Sequence, residues 1–267
     1  GSVVGVVALQ VPTDPINKIV QNREGMGKTG ETYLVGKFGD KTAYCSDRII
    51  KKGKIGQAKS GQSVTEGLAG KSGFQTKQGS SGAMELEAYC GLSIKGLDWC
   101  MVTSVSLEEV IAPKLKGEKD DYYTKYMKQY GYYDVFLISP DGDCFYTVCK
   151  EADYGTNLVN GKYASSGLGK LTRQVIESKK YGLADFAPYA PSNGDPCAFI
   201  AQPVLDKEGN VEMIVALQLS LGAINKIMGE RSGMGETGET YLVGPDKRMR
   251  SDSFLDKEGH SVAASFA

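Results

Sequence analysis

Histidine is almost absent from this 267-residue sequence, since His260 is the only one. The six cysteines form no Cys-x-x-Cys pair and no spacing typical of metal ligands. A zinc site, a covalently attached haem and a histidine-based catalytic triad therefore lack their residues. We predict no metal, no cofactor and mostly free, buried thiols, with one disulfide as the alternative in an oxidising compartment.

Long apolar runs and an excess of charge are also missing. No apolar run approaches the roughly 20 residues that a membrane-spanning helix needs. The 31 Lys and Arg residues are interspersed with 32 Asp and Glu residues, so no basic stripe can neutralise a row of phosphates. We therefore expect no nucleic-acid partner. The length predicts a soluble chain of about two domains, and such a chain could also be the part of a membrane protein that lies outside the bilayer.

One segment of the sequence occurs twice. Residues 7–36 recur without a gap at 215–244, and 20 of the 30 positions are identical. This spacing is far too long for a solenoid or a propeller blade and corresponds to a unit of two domains. The repeat therefore predicts that the chain holds one complete domain of each of two kinds.

The first domain is predicted to contain strands and one long connection. Residues 3–11 form a valine-rich run that predicts a core strand, and 16–20 have the spacing of a helical face. A strand with Tyr33 and Val35 on one face and a hairpin partner near Tyr44 follow. Residues 51–81, rich in Gly, Ser and Lys, predict a surface connection with little regular structure.

The first domain is predicted to end with two more strands, at 83–94 and 97–105, and a helix. Ser106 and Glu109 have the spacing of a capping box at the start of that helix. Glu85 and Glu87 share one strand face and could act as paired carboxylates, but a solvated strand face explains them better.

The second domain shows the same order of elements. Residues 133–150 predict a hairpin around a Pro-Asp-Gly-Asp turn, and a helix is predicted over 168–178. Three further strands are predicted between 185 and 220. Each domain therefore has the pattern of a five-stranded antiparallel sheet with helices over it.

The glycine motif at 25–30 matches Gly-x-Gly-x-x-Gly and contains Gly-Lys-Thr. A Rossmann phosphate loop runs from a strand into a helix, whereas here a helix leads in and a strand leads out. In the second copy, Glu236 replaces Lys28 and would repel a phosphate. We therefore predict a tight helix-to-strand turn and no enzyme activity.

The second domain is also rich in aromatic side chains with a few charges among them. Such a mixture suits a small-molecule pocket, in which apolar walls hold the ligand and polar groups orient it, although core packing is the alternative explanation. These residues include Tyr132, Asp134, Tyr146, Lys150, Asp153, Tyr189 and Phe199.

The strings YYDVFLISPDGDCFYTVCKEADYGTNL, VALQLSLGAINKIM and GETGETYLVG followed by MRSDS resemble the double Cache sensor modules of bacterial methyl-accepting chemotaxis proteins. The resemblance spans nearly the whole chain. It implies an α+β fold of two PAS-like subdomains, each with a five-stranded antiparallel sheet and helices on its faces.

The resemblance also implies a division of the chain. Residues 14–115 correspond to a membrane-proximal-type Cache subdomain and 116–223 to a membrane-distal-type one. Residues 1–13 would be the last strand of a preceding Cache unit, and 224–267 the truncated start of a second proximal-type subdomain. The order is the reverse of the family's, so the chain is a slice of tandem modules or a permuted unit. The open edge of the truncated subdomain is expected to pair with another chain or with the leading strand.

The resemblance implies a ligand-sensing domain that lies in the periplasm as part of an inner-membrane chemoreceptor and works as a homodimer. Sensor domains of a histidine kinase or cyclase, or a secreted interaction module, are the alternatives. The ligand would be an organic acid, an amine or an amino acid. In the distal-type subdomain the resemblance nominates Tyr146, Lys150, Asp153, Tyr189 and Phe199. Analogous positions in the proximal-type subdomain are Tyr44, Asp47 and Arg48.

Overall fold

A computed structural model of the chain describes residues 3–8, 12–80 and 82–267. These residues form two compact units, Gly1–Ile111 (unit 1) and Ala112–Ala267 (unit 2). Each unit contains one five-stranded antiparallel sheet, and the predicted α+β fold is thereby confirmed.

In unit 1, one helix precedes the sheet in sequence and a second helix packs against the sheet. The sheet has the order β2-β1-β5-β4-β3, and α2 lies against β1, β3, β4 and β5. The elements are α1 (Thr13–Val20), β1 (Glu31–Phe38), β2 (Lys41–Tyr44), α2 (Gln62–Leu68), β3 (Ser72–Gln78), β4 (Met84–Ile94), β5 (Leu97–Ser106) and α3 (Leu107–Ile111).

The core of unit 1 lies between α2 and one face of this sheet. Tyr33 and Val35 share that face of β1, as the alternation predicted, and neither side chain is exposed. Tyr44 of β2, Val64 of α2 and the strand residues Cys100 and Val102 complete the cluster. Burial of these side chains fixes which face of each strand points inward.

Residues 51–81 differ from the prediction, because they contain α2 and β3. Along β3 the inward positions are Gly73, Gln75 and Lys77, which alternate with exposed ones. The inward face of this edge strand is polar, so the sequence lacks the apolar alternation by which strands are recognised.

The predicted capping box at the start of α3 is not formed. The Glu109 carboxylate instead accepts hydrogen bonds from the backbone N–H of Lys28 (2.6 Å) and of Thr29 (2.8 Å), and from the Thr29 hydroxyl. The glycine motif is thus a helix-to-strand turn, as predicted, and its N–H groups bind a carboxylate of the same unit.

The strand predicted over residues 3–11 is not present in its described part. Residues 3–8 have no regular structure, and Val3, Val4, Val6 and Val7 are each more than four-fifths exposed. Residues 9–11 lie outside the described chain. No neighbouring strand accompanies residues 3–8, and a strand needs such a partner for its backbone hydrogen bonds.

Unit 2 repeats the same sheet order, here β7-β6-β10-β9-β8, with α5 against β8, β9 and β10. Ser166 caps α5 by accepting from the N–H of Gly169. The elements are α4 (Tyr122–Tyr130), β6 (Asp134–Ile138), β7 (Cys144–Thr147), α5 (Gly167–Ser178), β8 (Gly182–Pro188), β9 (Pro196–Leu205), β10 (Val211–Gln218), α6 (Leu221–Met228) and α7 (Val262–Phe266).

The C-terminal part of unit 2 carries the second copy of the repeat. Within 239–253 the only bridge between described residues joins Val243 to Met249. Met249 packs with Phe186, Ala198 and Val262 in a buried cluster, so this segment is not a lone hairpin in solvent. The pairing of its edge with another strand remains a prediction.

No helix in the described part of the chain is long and apolar enough to cross a membrane. All six cysteines are free thiols in this structure, and Cys149 alone among them is exposed.

Candidate functional site

A cavity lined by charged side chains, among them Arg48, Lys59 and Glu87, lies on the inward face of the unit 1 sheet, and we call it the charged cavity. Its volume is about 200 Å³. The strand registers place polar residues in two adjacent rows across this face. One row runs Ser106–Glu85–Lys77 and the next runs Glu31–Ser104–Glu87–Gln75.

Three ion pairs neutralise the three carboxylates of these rows. Arg48 donates from Nε (3.0 Å) and Nη2 (2.6 Å) to Glu31, which is fully buried. Lys77 pairs with Glu87 at 2.7 Å, and Lys51 pairs with Glu85. Glu85 and Glu87 are 4% and 2% exposed, so the solvated strand face expected from the sequence is wrong.

Glu87 accepts hydrogen bonds from four different side chains. Three of the donors are the Tyr33 hydroxyl (3.0 Å), the Ser63 hydroxyl (2.6 Å) and Lys77. Burial alone would raise its pKa, but the Lys77 and Ser63 hydrogen bonds and the Lys77 charge outweigh it and lower the pKa to about 2. Glu87 is therefore ionised throughout the physiological pH range.

Arg48 and Tyr44, both nominated from the sequence, meet at this cavity. The Arg48 guanidinium lies 4.4 Å from the ring centroid of Tyr33 and donates to the Tyr44 hydroxyl at 3.4 Å. The Tyr33 and Tyr44 rings pack edge to face. Asp47, nominated with them, faces elsewhere, because it binds the backbone N–H of Ile55 and the ammonium of Lys54.

The cavity also contains a cationic side chain that does not take part in these ion pairs, Lys59. Its ammonium is half-buried and forms no salt bridge within the described residues. Burial and the nearby positive charge of Lys77 lower its pKa, and the negative charge of Glu87 compensates only in part. With Lys52 also on the wall, five cationic side chains face three carboxylates. The excess positive charge suits a small anion.

Lys51, Lys52, Lys59 and Lys77 were missed by sequence reasoning, because all of them lie in the segment that was predicted to be a surface connection. The sequence of Ser72–Gln78 has no apolar alternation that could have identified this strand. The ion-pair partners of these lysines depend on strand register, which the sequence does not show.

In unit 2, three of the nominated residues form a contiguous buried group. Asp153 accepts a hydrogen bond from the Tyr189 hydroxyl at 2.6 Å, and the Tyr189 ring packs edge to face on Phe199. None of the three side chains is more than 1% exposed. Burial raises the pKa of Asp153 and that of Tyr189.

The other nominated residues of unit 2 lie apart from this group. Tyr146 donates to Asp121, the N-cap of α4, at 3.0 Å. Tyr132 stacks on Tyr126 of the same helix. Lys150 is exposed and has a left-handed backbone conformation.

Asp134 is a fully buried carboxylate at the start of β6. Its Oδ1 accepts from the backbone N–H groups of Val135 (2.7 Å), Val148 (2.9 Å) and Cys149 (3.1 Å). Burial outweighs these three donors and raises the pKa to about 7. Within the described chain, Asp134 Oδ2, Asp153 Oδ1 and Gln218 Oε1 accept no hydrogen bond.

Comparison with known proteins finds similarity only at the level of structure. No family model matches the sequence, and no curated protein matches it. Among solved structures, the ligand-binding domain of the Pseudomonas fluorescens chemoreceptor CtaA in complex with L-serine is 12% identical, with a TM-score of 0.44. That match covers 78% of this chain and 80% of the other.

Two further matches are of the same kind. The sensor domain of the V. cholerae histidine kinase DctB is 12% identical, has a TM-score of 0.43 and covers 78% of this chain and 79% of its own. The ligand-binding domain of the Campylobacter jejuni chemoreceptor Tlp3 in complex with 4-methylisoleucine is 10% identical, with a TM-score of 0.43 and coverage of 80% and 74%. Two of these three structures are ligand-binding domains of chemoreceptors, and the third is the sensor domain of a histidine kinase.

Proposed function

We propose that this chain is the ligand-sensing, extracytoplasmic part of a bacterial transmembrane chemoreceptor and that it binds a small organic anion in the charged cavity of unit 1. The observation that carries the ligand class is the excess of cationic side chains on the cavity wall, where Lys59 forms no salt bridge with any carboxylate of the described chain. The same sheet order in both units and the sequence resemblance support the sensor role.

Of the three ligand classes expected from the resemblance, the charge of the cavity favours organic acids. An amine would add a positive charge beside Lys59 and Lys77, whereas a carboxylate would neutralise one. Binding would also provide a counter-ion for the half-buried Lys59 ammonium and so reduce the free-energy cost of its burial. The cavity of about 200 Å³ restricts the ligand to a small acid.

The test is a thermal-shift panel of small carboxylates, amines and amino acids, followed by titration calorimetry of any compound that stabilises the protein. A ligand at 100 times its dissociation constant should add about 2.7 kcal/mol to the stability of the native state. We expect carboxylates alone to do so.

Lys59→Met is the informative variant for this test. It should weaken binding by tenfold or more, about 1.4 kcal/mol, because it removes the unpaired cation and retains most of the side-chain volume. Lys71→Met is the matched control, since Lys71 is an exposed lysine of the same unit outside the cavity. Stabilisation by amines, or equal binding to both variants, would refute the proposed ligand class.

The subdomain types belong to the same proposal. Residues 14–115 would be a membrane-proximal-type Cache subdomain, 116–223 a membrane-distal-type one, and 1–13 and 224–267 parts of neighbouring subdomains. The parent receptor would be membrane-anchored and homodimeric. Apolar spans of about 20 residues encoded on both sides of this region in the gene would support the receptor assignment over a secreted module.

A further inference from the structure

An apolar groove lies in unit 1 next to the charged cavity, and Tyr44 lines both. It has a volume of about 900 Å³ and runs beside α1, the β1–β2 hairpin and the β4–β5 turn. Phe38 (57% exposed), Ile94 (46%) and Leu97 (43%) are on its wall, together with Trp99. So much apolar surface is unusual on a folded unit and indicates a binding face.

The two copies of the repeat adopt the same local structure, which shows which residues correspond. The N–H of Leu34 donates to Ser46 (2.8 Å), as that of Leu242 donates to Ser251 (2.9 Å). The N–H of Asp47 donates to Asn17, as that of Asp252 donates to Asn225. The N–H of Ile55 donates to Asp47, as that of Val262 donates to Asp252.

By this correspondence, five residues that line the groove have structurally equivalent residues in the second copy. Thr13, Ile16, Tyr44, Cys45 and Ile55 correspond respectively to Leu221, Ile224, Met249, Arg250 and Val262.

In the second copy, the corresponding face is covered. Met249 and Val262 are buried in a cluster with Phe186 of β8 and Ala198 of β9, and Leu221 and Ile224 pack against that cluster. Arg250 forms a two-pronged ion pair with Asp185 of β8, at 2.7 and 2.8 Å. Val262 is 0% exposed, whereas its counterpart Ile55 is 37% exposed.

The segment before the groove indicates the same partner. Residues 7–10 have the sequence Val-Ala-Leu-Gln, which is also the sequence of 215–218 in β10, the last strand of the unit 2 sheet. In unit 2, β10 leads directly into α6, whose face contacts β8 and β9 of the same sheet. The valines of residues 3–8 are highly exposed and have no neighbouring strand.

The geometry points to one occupant of the groove: the β8–β9 end of a five-stranded sheet of the unit 2 kind, whose last strand includes residues 3–8. Such a sheet would present a Phe and an Ala to Ile16 and Ile55, as Phe186 and Ala198 are presented to the second copy, whereas Tyr44 is already buried in the core of unit 1. Cys45 replaces Arg250 at this interface, so the contact would be apolar and would need no acidic partner.

A chimaera tests this interface. An added copy of residues 112–220 replaces residues 1–12, so that the added sheet leads into α1 as the resident sheet leads into α6. Trp99 is the only tryptophan in the sequence and lines the groove, and it therefore reports directly on coverage. We expect acrylamide quenching of Trp99 to fall several-fold relative to the unmodified chain, with emission shifted to shorter wavelength.

Ile55→Asp in the chimaera should restore the quenching of the unmodified chain, because it places a charge in the apolar contact. Phe74→Asp is the control, since Phe74 is 79% exposed on β3 and lies outside the groove. Unchanged quenching in the chimaera, equal effects of the two substitutions, or an unfolded chimaera would overturn the inference. Protection of Trp99 that grows with the concentration of the unmodified chain would also overturn it, because a second copy would then be the occupant.

Discussion

Replacement of Glu87 by Gln should destabilise unit 1 in a pH-dependent manner. Gln has nearly the same shape as Glu and resembles its protonated form, so the variant isolates the contribution of the charge. In the native protein, that charge is bound by Lys77, Ser63 and Tyr33, and the side chain is 2% exposed.

The size of the effect follows from the pKa. Glu87 has a pKa of about 2 in the folded protein against an ordinary value of 4.5. At about 1.4 kcal/mol per pKa unit, ionisation of Glu87 contributes about 3 kcal/mol to the free energy of unfolding at neutral pH. Because the folded pKa is depressed, this contribution is fully present above pH 4.5 and is lost as the pH falls toward 2. At pH 3 roughly half of it should remain.

Urea unfolding monitored by Trp99 fluorescence measures this effect, because the only tryptophan lies in unit 1. The expected loss for Glu87→Gln is about 3 kcal/mol at pH 7 and about 1.5 kcal/mol at pH 3. Glu24→Gln is the control, since Glu24 is exposed and its replacement should change stability by less than about 0.5 kcal/mol. A Glu87→Gln variant as stable as the parent at pH 7, or a loss that does not shrink at pH 3, would refute the reasoning.

Two other substitutions give distinct outcomes. Asp134 has its pKa raised from 3.8 to about 7 by burial, so unit 2 should lose stability as the pH rises from about 4 to about 7. Asp134→Asn should remove this pH dependence, and at pH 8 the variant should be more stable than the parent by on the order of 4 kcal/mol. Urea unfolding followed by circular dichroism measures the difference. Identical pH profiles of the variant and the parent would contradict this prediction. Glu109→Ala should cost about 1 to 2 kcal/mol in unit 1, because it removes the acceptor of the Lys28 and Thr29 N–H groups. Glu24→Ala, at an exposed position shortly before the same turn, tests whether that loss is specific to the Glu109 carboxylate, and an equal loss would contradict the assigned role.

Sequence patterns predicted much of the fold because they act over short distances. The alternation at Tyr33 and Val35 placed β1 with the correct inward face, and turn residues located both hairpins. The repeat identified two equivalent local structures, down to shared hydrogen bonds. The order of the strands, 2-1-5-4-3 in each unit, agrees with the fold class that the resemblance implied.

Patterns were wrong where a polar residue is stabilised by a distant partner. The inward face of β3 carries Gln75 and Lys77, which a sequence pattern assigns to solvent. Glu87 is buried because Lys77, Ser63 and Tyr33 satisfy its oxygens, and those residues lie 10, 24 and 54 positions away. Glu109 binds a turn 80 residues earlier in the chain instead of its own helix.

The sequence by itself therefore determined the type and order of most elements and the repetition of one unit, since propensity and hydrophobic periodicity are local properties. The helix and strand within residues 51–81 are the exception. Only the tertiary structure decided where charge is buried. Strand register brings Glu31, Glu85 and Glu87 onto one face with Arg48, Lys51 and Lys77, and among the described residues no carboxylate forms a salt bridge with the neighbouring Lys59. The free energy of a buried charge depends on which partners surround it, and those partners are assembled from five separate segments of the chain.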